Sequence, residues 1–217
     1  MDYAIARKNM VESQLRTNRV TDERLLGIMR RLPREQFLPK NMMHLAYVDE
    51  DILMPGDRYL SEPLVVARLI MAAQVKSTDI VLVVGGGTGY TPAILGKMAT
   101  TVIALESDPS LVAESSSRLT TLTIDNVVVV EGPFQNGWAN EAPYDLILID
   151  GAVESVPQTL FDQINDGGRI VAVVKPEKGV GRIVLFEKRG GNISDRVIYD
   201  ASTPYLPGMA PQPAFVF

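Results

Sequence analysis

Gly85, Gly87 and Gly89 follow the apolar run "VLVV", and Glu106 closes the next apolar run, 21 positions after Gly85. Glycines so closely spaced let the chain turn tightly and let a ligand approach bare backbone N–H groups. An acid at the end of the following run is placed to accept hydrogen bonds from both hydroxyls of a ribose. Loop and acid together point to an adenosine-containing ligand. The spacing is G-x-G-x-G rather than G-x-G-x-x-G, which argues against a pyrophosphate seated on the helix start. It suits a ligand whose middle portion lies flat on the loop. A Walker loop is excluded, because no Gly-Lys-Ser/Thr follows. Taken alone, Glu106 also reads as a solvated carboxylate ahead of an Asp108-capped helix.

The elements that would carry these residues are legible from periodicity. "DIVLVV" (79–84), "TVIALE" (101–106), "NVVVVE" (126–131), "YDLILID" (144–150) and "RIVAVV" (169–174) are short and almost uniformly apolar. Strands buried on both faces look like this, so a parallel sheet covered by helices is expected. "TPAILGKMA", "DPSLVAESSSRLTTL" and "SVPQTLFDQIND" supply the intervening helices, the second with Asp108 as cap and Pro109 in its first turn. "SEPLVVARLIMAAQV" reads as a helix capped by Ser61 or Glu62. "ARKNMVESQLRT" and "TDERLLGIMRRL" read as amphipathic helices, the second with Thr21 as N-cap. "RIVLFEKRGG" and "DRVIYDAS" suggest an antiparallel hairpin, and the final "PAFVF" an edge strand or a docked end. The expected fold class is α/β, doubly wound and mostly parallel. One domain is expected over 1–217, with residues 1–60 a helical elaboration on a 61–217 core.

Composition narrows the chemistry. The 217 residues carry a net charge of −5, so the basic surplus of a phosphate-binding surface is missing and no nucleic-acid partner is expected. With no cysteine and one histidine, thiolate sites, cysteine nucleophiles and His-based metal clusters lack material, and no metal is expected. His44 reads as structural. No stretch reaches the roughly 20 apolar residues of a membrane span, so a cytoplasmic protein without a membrane partner is the expectation.

Further segments give the chain a family likeness. "NMVESQLR", "LPREQFLP", "AYVDEDILM", "YLSEPLVVARL", "VLVVGGGTGY" and the run from "APYDLILID" to "GGRIVAVV" together resemble the protein-L-isoaspartate O-methyltransferases, class I methyltransferases that use S-adenosylmethionine. The resemblance implies that Gly85, Gly86, Gly87, Thr88 and Gly89 hold the methionine and ribose portion of the cofactor, and that Glu106 binds its ribose. It implies that Gly132 and Pro133 lie at the adenine and that Ser61 is the catalytic serine where substrate carboxylate and methyl group meet. Ser61 also remains a candidate N-cap. The implied substrates are proteins or peptides bearing isoaspartyl residues, and the implied role is repair of damaged protein.

The chain departs from the family pattern around this site. Val83 stands where "VLEIGTGSGY" has an acid, and Pro133 replaces the acid of "GDG". Arg58 and Tyr59 replace a Gln-Thr pair and are candidate substrate-binding residues. Arg58 could hold a carboxylate through its guanidinium or pair at the surface with Asp57 or Glu62. Phe134 could stack on an adenine or belong to the core. The departures leave open a relative that keeps the fold as a binding or regulatory module, and a methyltransferase with another acceptor.

Overall fold

The computed structural model describes residues 2–211. Helix α1 (Tyr3–Asn9) is capped by Asp2 and runs on through Leu15 in wider, π-type turns. Helix α2 (Glu23–Arg31) is capped by Asp22, whose carboxylate accepts from Leu25 N at 3.0 Å. Thr21, expected to be the cap, lies one residue too early. The first helical bond, Leu26 N to O of Asp22, fixes the start. A small antiparallel hairpin follows, β1 (Ile52–Met54) and β2 (Arg58–Leu60), interrupted by Pro55 and Gly56. Its turn uses Gly56 and Asp57 at positive φ. Side chains alternate, so Ile52, Met54, Arg58 and Leu60 face inward while Leu53 and Tyr59 face solvent. The geometry therefore drives a cation into the interior. Helix α3 (Pro63–Ala73) then starts with Pro63 in its first turn.

The main sheet has strands β3 (Ile80–Val84), β4 (Thr101–Glu106), β5 (Val127–Glu131), β6 (Tyr144–Val153), β7 (Ile164–Val174), β8 (Arg182–Arg189) and β9 (Asn192–Asp200). Their order is β5-β4-β3-β6-β7-β8-β9, parallel from β5 to β7, with β8 and β9 antiparallel. Gly190 and Gly191 turn the last hairpin, as expected. "PAFVF" (213–217) lies outside the described residues. Helices α4 (Tyr90–Gly96), α5 (Pro109–Thr121) and α6 (Gln158–Asp162) connect strands, and Asp108 caps α5 as read from sequence. No helix among the described residues is long and apolar enough to cross a membrane.

Period-two alternation splits each strand between two apolar layers. Val81, Val83, Val102, Ala104, Leu146 and Leu148 pack beneath α2, α3, α4 and the N-terminal helices. Leu82, Val84, Ile103, Leu105, Ile147 and Ile149 pack with Phe134, Leu160 and Leu206 on the other face. Each fully buried side chain of this size contributes roughly 1.5–3 kcal/mol. Both layers are needed because a parallel sheet has no face left for water. From β3 the chain steps one way to β4 and β5, then returns to place β6 on the other side of β3. The carboxyl end of β3 is thus the switch point, where such sheets hold ligands.

Candidate active site

The turn 85–89 leaves β3 at that switch point, entirely buried. Gly85 and Gly87 have φ of 83° and 54°, a left-handed conformation that a side chain would strain. Gly85 N and Gly86 N donate to Leu105 O, and Gly89 N to Gly86 O. Gly87 N points into the site and donates to Glu106 Oε2 at 2.9 Å. Glu106 is fully buried, not solvated. Its Oε1 accepts from Ser107 N at 2.8 Å and Asp108 N at 3.2 Å.

Arg58 completes the shell of Glu106. Its Nη2 donates to Glu106 Oε2 at 2.9 Å and to Gly85 O at 3.4 Å, and its guanidinium lies 5.2 Å from the Phe134 ring centre. Surface pairing with Asp57 or Glu62 is not what the fold does with it, because β2 turns the side chain inward. Phe134 belongs to the core and supports Arg58 at once. Tyr59, pointing the opposite way, is exposed.

Ser61 is not the helix cap. Its hydroxyl donates to Asp150 Oδ1 at 2.8 Å, and its carbonyl accepts from Arg34 Nη2 at 2.8 Å. The acceptor at the start of α3 is Asp51, which takes the Glu62 N–H at 2.8 Å and a hydrogen bond from the Thr203 hydroxyl at 3.2 Å. Arg34, fully buried, also donates to Ala46 O and lies over the Tyr90 ring, tying the N-terminal segment to Ser61 and α4. Burial pushes the Asp150 carboxyl above its usual range, against the opposing pull of Ser61, Arg58 and Arg34. Sequence reasoning passed over Asp150, Asp51 and Arg34. Only their place in segments of the family likeness marked them.

Other expected residues are near but less engaged. Gly132 donates its N–H to Glu106 O at 3.0 Å, and Pro133 beside it is exposed. Thr88 is buried with no partner for its hydroxyl, at the edge of a cavity of about 120 Å³ that Gly56 and Asp108 also line. Val83 sits in the apolar layer under the helices, where an ionised acid would need a partner. His44 is exposed.

The chain's similarity to known proteins agrees with this arrangement. The profile of the protein-L-isoaspartate(D-aspartate) O-methyltransferase family matches residues 6–208. The chain belongs to that family. Protein-L-isoaspartate O-methyltransferases of Methanoculleus marisnigri and Koribacter versatilis are 35% and 37% identical to it. The alignments cover 85% and 88% of this chain and 84% and 86% of theirs. A solved protein-L-isoaspartate O-methyltransferase superposes with a TM-score of 0.80 at 24% identity, over 93% of this chain and 66% of that one. A Plasmodium falciparum structure, described as a protein-L-isoaspartate O-methyltransferase with S-adenosyl-L-homocysteine, gives 0.76 at 19% identity over 95% and 98%. The fold is thus that of class I S-adenosylmethionine-dependent methyltransferases.

Within a protein-L-isoaspartate O-methyltransferase fold, the donors and acceptors here suit an adenosyl cofactor: a bare glycine turn, a buried acid bonded to it and a Thr88 hydroxyl without a partner among the described residues. The space does not yet suit it. Between Arg58, Ser61, Asp150 and Leu206 only about 10 Å³ is open, room for about one water, whereas small-molecule sites run to roughly 300–1,000 Å³. A roomier cavity, about 500 Å³, lies instead beside α2 and the C-terminal ends of α4 and α5. That is the opposite edge of the sheet from the glycine turn.

A charge beside the site gives a pH-dependent prediction. Partial burial, with Asp49 and Asp51 nearby, pushes the Glu62 carboxyl up to about 7. Its folded-state value thus exceeds the ordinary carboxylate value, so the native state binds the extra proton. Stability is then greatest below the unfolded value and is lost as pH rises toward 7. Glu62→Gln should raise the melting temperature at pH 8 by roughly 2–4 °C, equivalent to about 1 kcal/mol after allowance for solvent screening, and leave it unchanged at pH 4. Equal melting shifts at both pH values would count against this account.

Proposed function

We propose that the protein transfers a methyl group from S-adenosylmethionine to the side-chain carboxylate of isoaspartyl residues in damaged polypeptides. The observation that carries this reading is the meeting of the glycine turn and Glu106 with Ser61 at the switch point of a chain from this family. Bound cofactor supplies an electrophilic methyl on a sulfonium. The accepting carboxylate is already ionised near neutral pH, so the protein needs no strong general base. Its task is alignment and exclusion of water. Gly87 N and Glu106 hold the ribose end, and the Ser61 hydroxyl, released from Asp150, donates to one carboxylate oxygen while the other remains free to react. Arg34 fixes the backbone of Ser61 from the opposite side. The partners on this reading are flexible, aged polypeptides rather than one dedicated protein.

The test is transfer of labelled methyl to an isoaspartyl peptide against its aspartyl twin. Labelling of the isoaspartyl peptide alone is expected, and equal or absent labelling removes the assignment. Ser61→Ala should lower kcat by about 10–100-fold, the worth of one hydrogen bond to a charged group, with cofactor affinity nearly unchanged. Unchanged turnover in that variant would leave Ser61 a purely structural partner of Asp150.

A further inference from the structure

The side chain on Glu106 takes the partners that an adenosine would take. Arg58 Nη2 occupies the ribose acid at 2.9 Å, reaches Gly85 O at 3.4 Å and lays its planar head 5.2 Å from the centre of the Phe134 ring. A guanidinium can do this because it is flat, rich in donors and weakly hydrated, the same features that let it stack and pair at once. On Glu106 it stands where the ribose hydroxyls would bond, so guanidinium and ribose compete for the same acid. Arg58 Nη1 has no partner among the described residues, so the fit is incomplete even though the residue is buried.

Leu206 closes the second half of the cleft. A Cβ placed on Gly85 would lie 2.6 Å from Leu206 Cδ2, and one on Gly151 would lie 2.7 Å from Leu206 Cγ. The leucine therefore rests on bare backbone at the ends of both β3 and β6, where a ligand's approach would otherwise be unobstructed. Its segment is laced to β6 through Leu206 N to Ala152 O and Ala152 N to Pro204 O, both 2.9 Å. Arg58, by contrast, rides on the short β1–β2 hairpin, whose turn 55–57 is exposed. The two plugging side chains come from separate segments, one lightly and one firmly held.

We propose that Arg58 and Leu206 form a displaceable plug in the cofactor cleft and so set the protein's affinity for S-adenosylmethionine. The proposal rests on the methyltransferase reading above. In the closed state Arg58 neutralises Glu106, which would otherwise be an isolated buried anion. Opening requires the hairpin to withdraw Arg58, after which ribose hydroxyls replace the guanidinium on Glu106, and Leu206 to give way over Gly85. Arg58 is the main determinant because it occupies the ribose acid itself.

Calorimetric titration with S-adenosylhomocysteine tests this without any turnover, using the full chain, Arg58→Gln, Leu206→Ala and the double variant. Glutamine keeps one amide donor for Glu106 but removes charge and bulk, and folding is checked for each protein by its melting curve. Binding at least tenfold tighter in Arg58→Gln, and tighter again in the double variant, is expected. The stabilisation by ligand in melting curves should rise in the same order. Affinities in the variants equal to or below that of the unsubstituted chain would overturn the plug while leaving the methyltransferase reading intact. Absence of binding by every protein at millimolar ligand would overturn both, since removal of the plug should suffice to admit the ligand. A variant that fails to fold leaves the other single variant to decide, each being expected to gain affinity by itself.

Discussion

Glu106→Ala should cost the folded chain about 3–5 kcal/mol and abolish cofactor binding. The carboxylate is fully buried and accepts from Arg58, Gly87, Ser107 and Asp108. Ser107 is exposed and can turn to water, whereas the Gly87 N–H and the Arg58 guanidinium are buried in the closed state. Truncation therefore strands a buried guanidinium, which is the expensive part. Chemical denaturation would read the loss as a lower midpoint at unchanged slope. Removing both partners should cost less than the sum of the two single truncations, because the stranded charge disappears with Arg58. A loss under about 1 kcal/mol in Glu106→Ala would mean that Arg58 escapes to solvent once unpaired.

The second large effect lies at the other end of the strands. Arg169→Ala is expected to destabilise by about 3–5 kcal/mol, a fall of roughly 10 °C in melting temperature for a chain of this size. Arg169 is almost buried on β7 and meets buried Asp79 through Nη2 at 2.6 Å. The same head donates to Asp145 O at 3.0 Å, to Gln74 O at 3.1 Å and, through Nε, to Ala73 O. One side chain thus joins the end of α3, the entry to β3 and the start of β6. It also puts a cation at the C-terminal end of α3, where the helix dipole favours one. Truncation leaves buried Asp79 without its guanidinium and the Ala73, Gln74 and Asp145 carbonyls without this donor, the first of them buried. Ligand affinity of the folded protein should be unaffected, because none of these groups reaches the glycine turn, and the loss should add to that of Glu106→Ala.

The sheet was legible because each strand is a continuous apolar run, and only burial on both faces produces that pattern. Asp108 and Pro109 announced α5 for a similarly local reason. What escaped was decided by partners far along the chain. Arg58 has acids one and four positions away, Asp57 and Glu62, yet its partner is 48 residues on. Ser61 looked like a cap because serine before a proline-started helix usually is one, yet its hydroxyl goes to Asp150, 89 residues later. The β1–β2 hairpin was hidden by strands of three residues around Pro55 and Gly56, too short to show alternation. Glycine spacing and the place of Glu106 were read as a ligand site from their positions along the chain, and the two do converge. Their being filled by Arg58 and Leu206 depends on side-chain direction, which no local pattern carries.

The lacing of the segment around Leu206 has a consequence for synthesis. Thr203 bonds to Asp51, 152 residues earlier, and Leu206 closes over Gly85 from nearly the same point in the chain. A polypeptide emerging from its N-terminus has β3 to β7 before it has this segment. The leucine that covers the glycine turn is therefore synthesised after all seven strands of the sheet beneath it.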